Sequence, residues 1–213
     1  MEFEKLLRIV GDEPVFESSL LLAGKVNPAS IQVQLARWTK SNKIYQLRRG
    51  LYAIAPPYQK VKPHPFTIAN RMVHASYVSC QSALAFYGLI PEYVPATTSV
   101  TTLRPGSWNT PLGIFEFRHI KPVLLSGYCM TDLVNNQTAF VAAPEKALLD
   151  LIYLQARSDS PAYLHELRLQ NLEDLNLDEL HKNAVLYSSH KVQRAYEIIA
   201  SMVESESSEY EKT

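Results

Sequence analysis

Arg48 and Arg49 stand side by side in the stretch YQLRRGLYAIAP, against Gly50 and between two short β-prone runs. Adjacent guanidinium groups at a hairpin tip suit phosphate contact or entry into a narrow minor groove. A second set lies just upstream. Ser30, Gln32, Val33, Gln34 and Arg37 occupy a stretch with helical periodicity, and Lys40, Asn42 and Lys43 follow at its end. Arginine can hold guanine through two bonds, glutamine can do the same with adenine, and valine can touch a thymine methyl. Lysine and asparagine at a helix end suit phosphate.

The charge pattern agrees with a polyanion-facing segment. Net charge is zero, yet no acidic residue occurs between Glu17 and Glu92. That window holds Lys25, Arg37, Lys40, Lys43, Arg48, Arg49, Lys60, Lys62 and Arg71. The chain from Arg157 onward is rich in acids and ends ESESSEYEKT. A neutral total therefore conceals a basic segment joined to an acidic one. A basic hairpin can also be a solvated strand edge, but the length of the acid-free window favours the polyanion.

These residues need elements to position them. Phe3, Leu6, Leu7 and Val10 predict an amphipathic helix over Glu2–Val10. Val15 and Phe16 suggest a brief strand. Ser18 or Ser19 then caps a short helix through Leu22, with Gly24 just past its end. Asn27 and Pro28 begin the clearest helix, whose buried seam is Ile31, Leu35 and Trp38. Ile44–Leu47 and Leu51–Ile54 form a hairpin closed at Gly50. Tyr45 and Tyr52 read as residues packing that hairpin. Helix, strand, helix, helix, hairpin is the order of a winged helix-turn-helix, in which the last helix enters the major groove and the hairpin reaches a neighbouring groove or the backbone.

APPYQKVKPHP, with four prolines, reads as a linker and sets the first boundary near residue 60. Beyond it, FTIANRMVH, SCQSALAFYGLI and APEKALLDLIYLQ read as helices, and TTSVTTL, GIFEFRHI, PVLLSGYCM and TAFVA as strands, with RPGSWNTP as a loop. The expected fold class is α+β. It comprises an N-terminal winged helix-turn-helix domain (1–60) and a larger mixed α/β C-terminal domain (61–204) with an antiparallel-rich sheet and helices. A disordered acidic tail (205–213) follows.

Catalytic signatures are missing. The six histidines lack metal-pair spacing, and no phosphate-binding glycine loop occurs. Glu116 and the adjacent Glu145–Lys146 pair do not form a nuclease constellation, because neighbouring residues on a strand face opposite ways. We expect no enzyme activity, no metal and no cofactor. Cys80 and Cys129 read as two semi-buried free thiols in a reducing compartment. No apolar run reaches the roughly 20 residues of a membrane span, and the N-terminus lacks a signal-peptide layout. A cytoplasmic location is expected.

Three segments in this order, RRGLYAI, SCQSALAFYGLIPE and FVAAPEKALLDLIYL, resemble the AbiEi family of antitoxins from type IV toxin–antitoxin (abortive-infection, phage-defence) systems. The resemblance covers roughly residues 5–200. It implies a winged-helix domain that represses its own operon by binding inverted repeats of double-stranded DNA in the promoter; one winged helix gives a modest site, so two half-sites are expected, which a dimer on the DNA could fill. It also implies a C-terminal domain that counteracts a nucleotidyltransferase-like toxin. Arg48, Arg49 and the third helix fall at its DNA-contacting positions. Gln81, Ser82, Glu145, Lys146 and Asp150 are the polar members of the C-terminal motifs and the candidates for antitoxin activity. Leu84, Phe86, Leu148 and Leu149 read as core. The alternative readings are a module whose winged helix binds a protein, and a winged helix fused to a nuclease-like domain.

Overall fold

The computed structural model describes residues 1–22 and 27–210, with side chains through residue 205. Gly24 and Lys25 lie outside the described residues. The fold is α+β, with a helix-rich N-terminal unit and a larger mixed α/β unit built on a second sheet.

The N-terminal unit begins with α1 (Phe3–Val10), which buries Phe3, Leu6 and Val10. Strand β1 is only Phe16–Glu17, and a 3-10 turn follows over Ser18–Leu22. α2 (Pro28–Lys40) then leads into β2 (Ile44–Arg48) and β3 (Leu51–Ile54). The three strands pair antiparallel in the order β1-β3-β2. Their inner face and the two helices enclose a small core of Phe3, Leu6, Phe16, Leu35, Trp38 and Ile44. Tyr52 stacks on Phe16 at 5.8 Å.

The hairpin does not stand clear of the rest. Leu47, Leu51 and Ala53, with Val15, belong to the core of the larger unit. β2 also runs beside β6 of that unit. The linker is pinned by the side chain of Gln137. It accepts the His64 N–H at 2.8 Å and donates to the Lys62 carbonyl at 2.9 Å.

The larger unit follows as α3 (Pro65–Met72), β4 (Ser76–Val78), α4 (Cys80–Phe86), β5 (Ala96–Thr101), β6 (Gly106–Thr110), β7 (Gly113–His119), β8 (Tyr128–Leu133), β9 (Gln137–Ala142), α5 (Pro144–Leu154), α6 (Pro161–Glu166), α7 (Leu177–Leu186) and α8 (His190–Tyr210). The sheet order is β6-β7-β5-β4-β9-β8. Neighbours pair antiparallel except β5 with β7 and β4 with β9, so the sheet is antiparallel-rich but mixed. α5 buries Ala147 through Ile152 between this sheet and the C-terminal helices. A cleft of about 970 Å³ separates the end of α1 from α3 and the β8–β9 pair.

Several expectations need correction. RPGSWNTP is not a loop, because Gly106–Thr110 pairs along β7 as an edge strand. Polar residues suffice there, since an edge strand buries little. The first part of PVLLSGYCM is a 3-10 turn at Pro122–Leu124, as proline at its start favours. Ser76–Val78, unassigned in the sequence reading, is a central strand. Phe86 is 42% exposed rather than core, because α4 ends there and its ring rests edgewise on Tyr87 and tilted on Phe66. Cys80 is buried and Cys129 exposed. α8 continues through Tyr210, into the tail read as disordered from residue 205. Val203 is buried, and Ser205 Oγ donates to the Ser201 carbonyl at 2.7 Å. Residues 211–213 lie outside the described residues.

Candidate functional site

α2 is set by its ends and its seam. Asn27 Oδ1 accepts the Ala29 N–H at 2.9 Å, and Pro28 occupies the first helical position. Ile31, Leu35 and Trp38 are buried, which turns the opposite arc outward. Ser30, Gln32, Ala36, Arg37 and Lys40 are exposed, and Val33 is 50% exposed. Gln34 is half-buried, so Gln32 is the better-presented of the two glutamines. Asn42, exposed, adopts a left-handed backbone (φ 53°) in the turn after the helix. Lys43 turns back toward α1, its ammonium 4.7 Å from the Phe3 ring centre and 5.8 Å from that of Tyr58. A cation held between two aromatic faces is a structural contact, which separates Lys43 from the expected phosphate set.

The two arginines are not equivalent. The turn itself is Arg49–Gly50, with Gly50 at φ 84°. Ser18 N–H donates to the Gly50 carbonyl at 2.8 Å, tying the turn to the start of the 3-10 segment. Arg49 is exposed. Arg48 closes β2 after a register shift between Gln46 and Arg48, and it is half-buried. Its Nε is enclosed without a hydrogen-bond partner.

Ion pairing sorts the charges of the N-terminal unit. Asp12 meets Lys60 at 3.1 Å, Glu13 meets Arg71 at 3.4 Å, and Glu17 meets the His74 ring at 3.4 Å. The carboxylates between α1 and the 3-10 segment are thus taken up by the linker and by the segment from α3 to His74. Downstream acids Asp159 and Glu179 pair with Arg194 and Lys182 of their own unit. Among the described residues, Arg37, Lys40, Arg48 and Arg49 have no ion pair.

A second polar cluster is enclosed in the larger unit. Lys146 and Asp150 stand one turn apart on α5, and both are buried. Lys146 Nζ donates to Asp150 and, at 2.7 Å, to the Tyr187 hydroxyl. Asp150 also accepts the hydroxyls of Tyr187 (2.7 Å), Tyr77 (2.9 Å) and Ser79 (2.8 Å). Burial, reinforced by the Asp150 charge, pushes both phenols above the ordinary tyrosine range. Burial also holds Lys146 below the usual lysine value, against the opposing pull of Asp150. Gly127 lies against the Lys146 stem, where a β-carbon would come within 3.1 Å of it.

The remaining candidates are dispersed. Ser82 donates to the Ala96 carbonyl at 3.0 Å and accepts the Thr98 N–H at 2.8 Å, which fastens α4 to β5. Glu145 accepts the Asn176 N–H at 2.8 Å ahead of α7. Gln81 is half-buried, whereas the other four are buried. Glu116 sits on β7. Tyr77, Ser79 and Tyr187 were not singled out by sequence. Tyr187 lies 41 residues from Lys146, and no local pattern links them.

No family model matches the chain, and no curated protein matches it either. Among solved structures, the chain is similar to the RV2827C protein from Mycobacterium tuberculosis, with a TM-score of 0.54. The fold is shared. The likeness covers 93% of this chain and 74% of that one at 16% identity, so it concerns architecture alone.

Proposed function

We propose that the chain is a double-stranded-DNA-binding autorepressor and antitoxin of the AbiEi type, acting in the cytoplasm, with residues 1–60 serving as a winged helix. The observation that carries the DNA-binding part is the charge sorting. Asp12 and Glu13 are paired with cations of the linker and the larger unit and Glu17 lies against the His74 ring, while Arg37, Lys40, Arg48 and Arg49 have no ion pair among the described residues. In this reading the outer arc of α2 meets the major groove. Gln32 and Arg37 read base edges, Val33 touches a thymine methyl, and Lys40, Asn42 and Arg49 hold phosphates. Arg48, half-buried, supports the turn more than it reaches.

The antitoxin part rests on the sequence resemblance. A nucleotidyltransferase-like toxin is the proposed target. Since Ser82, Glu145, Lys146 and Asp150 are buried, their role in this reading is to hold the domain that does the neutralising.

The test is a mobility shift of the chain on DNA from upstream of its own gene, with unrelated competitor DNA present. A shift that survives competitor supports the reading; equal loss to any DNA, or no shift, contradicts it. A second reading, in which the outer arc of α2 binds a protein, draws on the exposed apolar residue Val33. Replacing Val33 by serine separates the two: a protein contact weakens strongly, whereas a phosphate-dominated contact does not.

A further inference from the structure

The six-stranded sheet ends differently on its two sides. β6 lies beside β2 of the N-terminal unit. β8 is last in the strand order and pairs with β9. Two bonds decide which of its backbone groups face outward. The Phe140 N–H, opposite Met130, donates to the Asn70 side chain instead of crossing to β8. The Ala143 N–H, one step beyond the Tyr128–Ala142 pair, donates to the Gly127 carbonyl at 2.9 Å. Bonded and non-bonded pairs alternate along an antiparallel ladder. Tyr128, Met130 and Asp132 therefore turn N–H and C=O toward the open edge.

Exposed edges are usually guarded by cations, prolines or bulges. Between Gly127 and Leu133 there is no cation and no proline, and the register with β9 runs without a break. The side chains are apolar and open: Met130 is 66% exposed and Phe140, its ladder partner, 45%. Tyr128 shares their face, stacked on Tyr77 at 4.5 Å.

We propose that β8 is the contact between two copies of this chain, paired antiparallel about a twofold axis at Met130. The outward residues are symmetric about that position. Tyr128 then faces Asp132 of the second copy and Met130 faces Met130, so every outward donor meets an outward acceptor. The one charge of the strand, Asp132, is kept from its twin by four residues of strand, about 13 Å, beyond the screening length of physiological salt. On one face Met130 and Phe140 of both copies form a shared apolar cluster. A second copy brings its own Met130 and Phe140 to this cluster and keeps the two Asp132 carboxylates apart, so the side chains of the strand suit a second copy, and the proposal stands independently of the DNA reading.

Sedimentation equilibrium on the full chain, from low to high micromolar concentration, tests it. The expected result is a monomer–dimer equilibrium that Met130→Lys weakens by about tenfold or more, because it sets two cations against each other. The register is tested separately. Cys129 and Thr131 share a face and are exposed and half-exposed. Across the proposed axis they become opposed non-bonded positions, with Cα atoms about 4.5 Å apart, within disulfide reach. Oxidised Thr131→Cys protein should run as a covalent dimer on a non-reducing gel. Wild type, and Thr131→Cys combined with Cys129→Ser, should not. If Met130→Lys fails to fold by circular dichroism, the cross-link decides. A chain that stays monomeric throughout, a dimer that ignores both variants, or a monomer that takes up only a foreign extended peptide would overturn the proposal.

Discussion

Glu13 turns its carboxylate to Arg71, 3.4 Å away across the junction between the N-terminal unit and α3. The pair does more for the charge pattern than for the fold. Both partners are about half-exposed, and pairs of that kind contribute between nothing and about 1 kcal/mol. What it does is take a carboxylate away from the basic face. Glu13→Gln should therefore change unfolding free energy by less than about 1 kcal/mol in urea titration. The transition should stay single, because Val15, Leu47, Leu51 and Ala53 share one core with the larger unit. Two separated transitions would show that the units are not coupled in that way.

The cluster on α5 behaves in the opposite manner. Asp150, fully buried, accepts four donors. Asp150→Ala leaves the Lys146 ammonium buried and unpaired, and should cost about 3–5 kcal/mol. Adding Lys146→Met to that variant should recover part of the loss, since removing both charges spares the desolvation of either. Equilibrium urea unfolding of the single and double variants checks this. A double variant less stable than Asp150→Ala alone would mean that the lysine stem, packed on Gly127, matters more than its charge.

His64 caps α3 through its ring, with Nδ1 accepting the Phe66 N–H at 3.2 Å. Only an unprotonated Nδ1 can accept. Burial pushes the ring below the ordinary histidine value. The unfolded chain therefore binds a proton, near the usual value of about 6.5, before the folded chain does. The stability tied to His64 is complete above that pH and is lost as pH falls through the folded value. His64→Asn keeps a capping acceptor without the titration and should flatten this acid limb. His64→Ala should lower stability by about 1 kcal/mol at neutral pH. Thermal melts between mildly acidic and neutral pH measure both. An acid limb that persists unchanged in His64→Asn would place the titration elsewhere.

How much of this was legible beforehand depends on how local each cause is. α2 could be read because its cap, its proline and its seam all lie within one segment, and each acts on the backbone next to it. The hairpin was readable for the same reason, Gly50 being the residue that admits φ 84°. Its surroundings were not. β2 lies beside β6, a neighbour supplied by a strand far along the chain, and Arg48 at its end is half-buried. β4 escaped notice because three residues between two helices carry no periodicity of their own, and its neighbours on both sides are distant in sequence. The Lys146–Asp150 spacing was visible as one helical turn, yet its meaning was not. The hydroxyls of Tyr77 and Tyr187 that complete it arrive from β4 and the end of α7.

The central claim is that unpaired cations of α2 and the Arg49 turn meet a nucleic-acid backbone, and the salt dependence of DNA binding tests it most directly. Fluorescence anisotropy on the upstream duplex, repeated over a range of salt, gives the slope of log affinity against log salt. Each lost phosphate contact lowers the slope by about 0.9. Lys40→Ala with Arg49→Ala should flatten it by nearly two units and weaken binding to specific and unrelated duplexes alike, whereas Arg37→Ala should relax sequence preference. A slope identical to that of the wild-type chain would contradict the account.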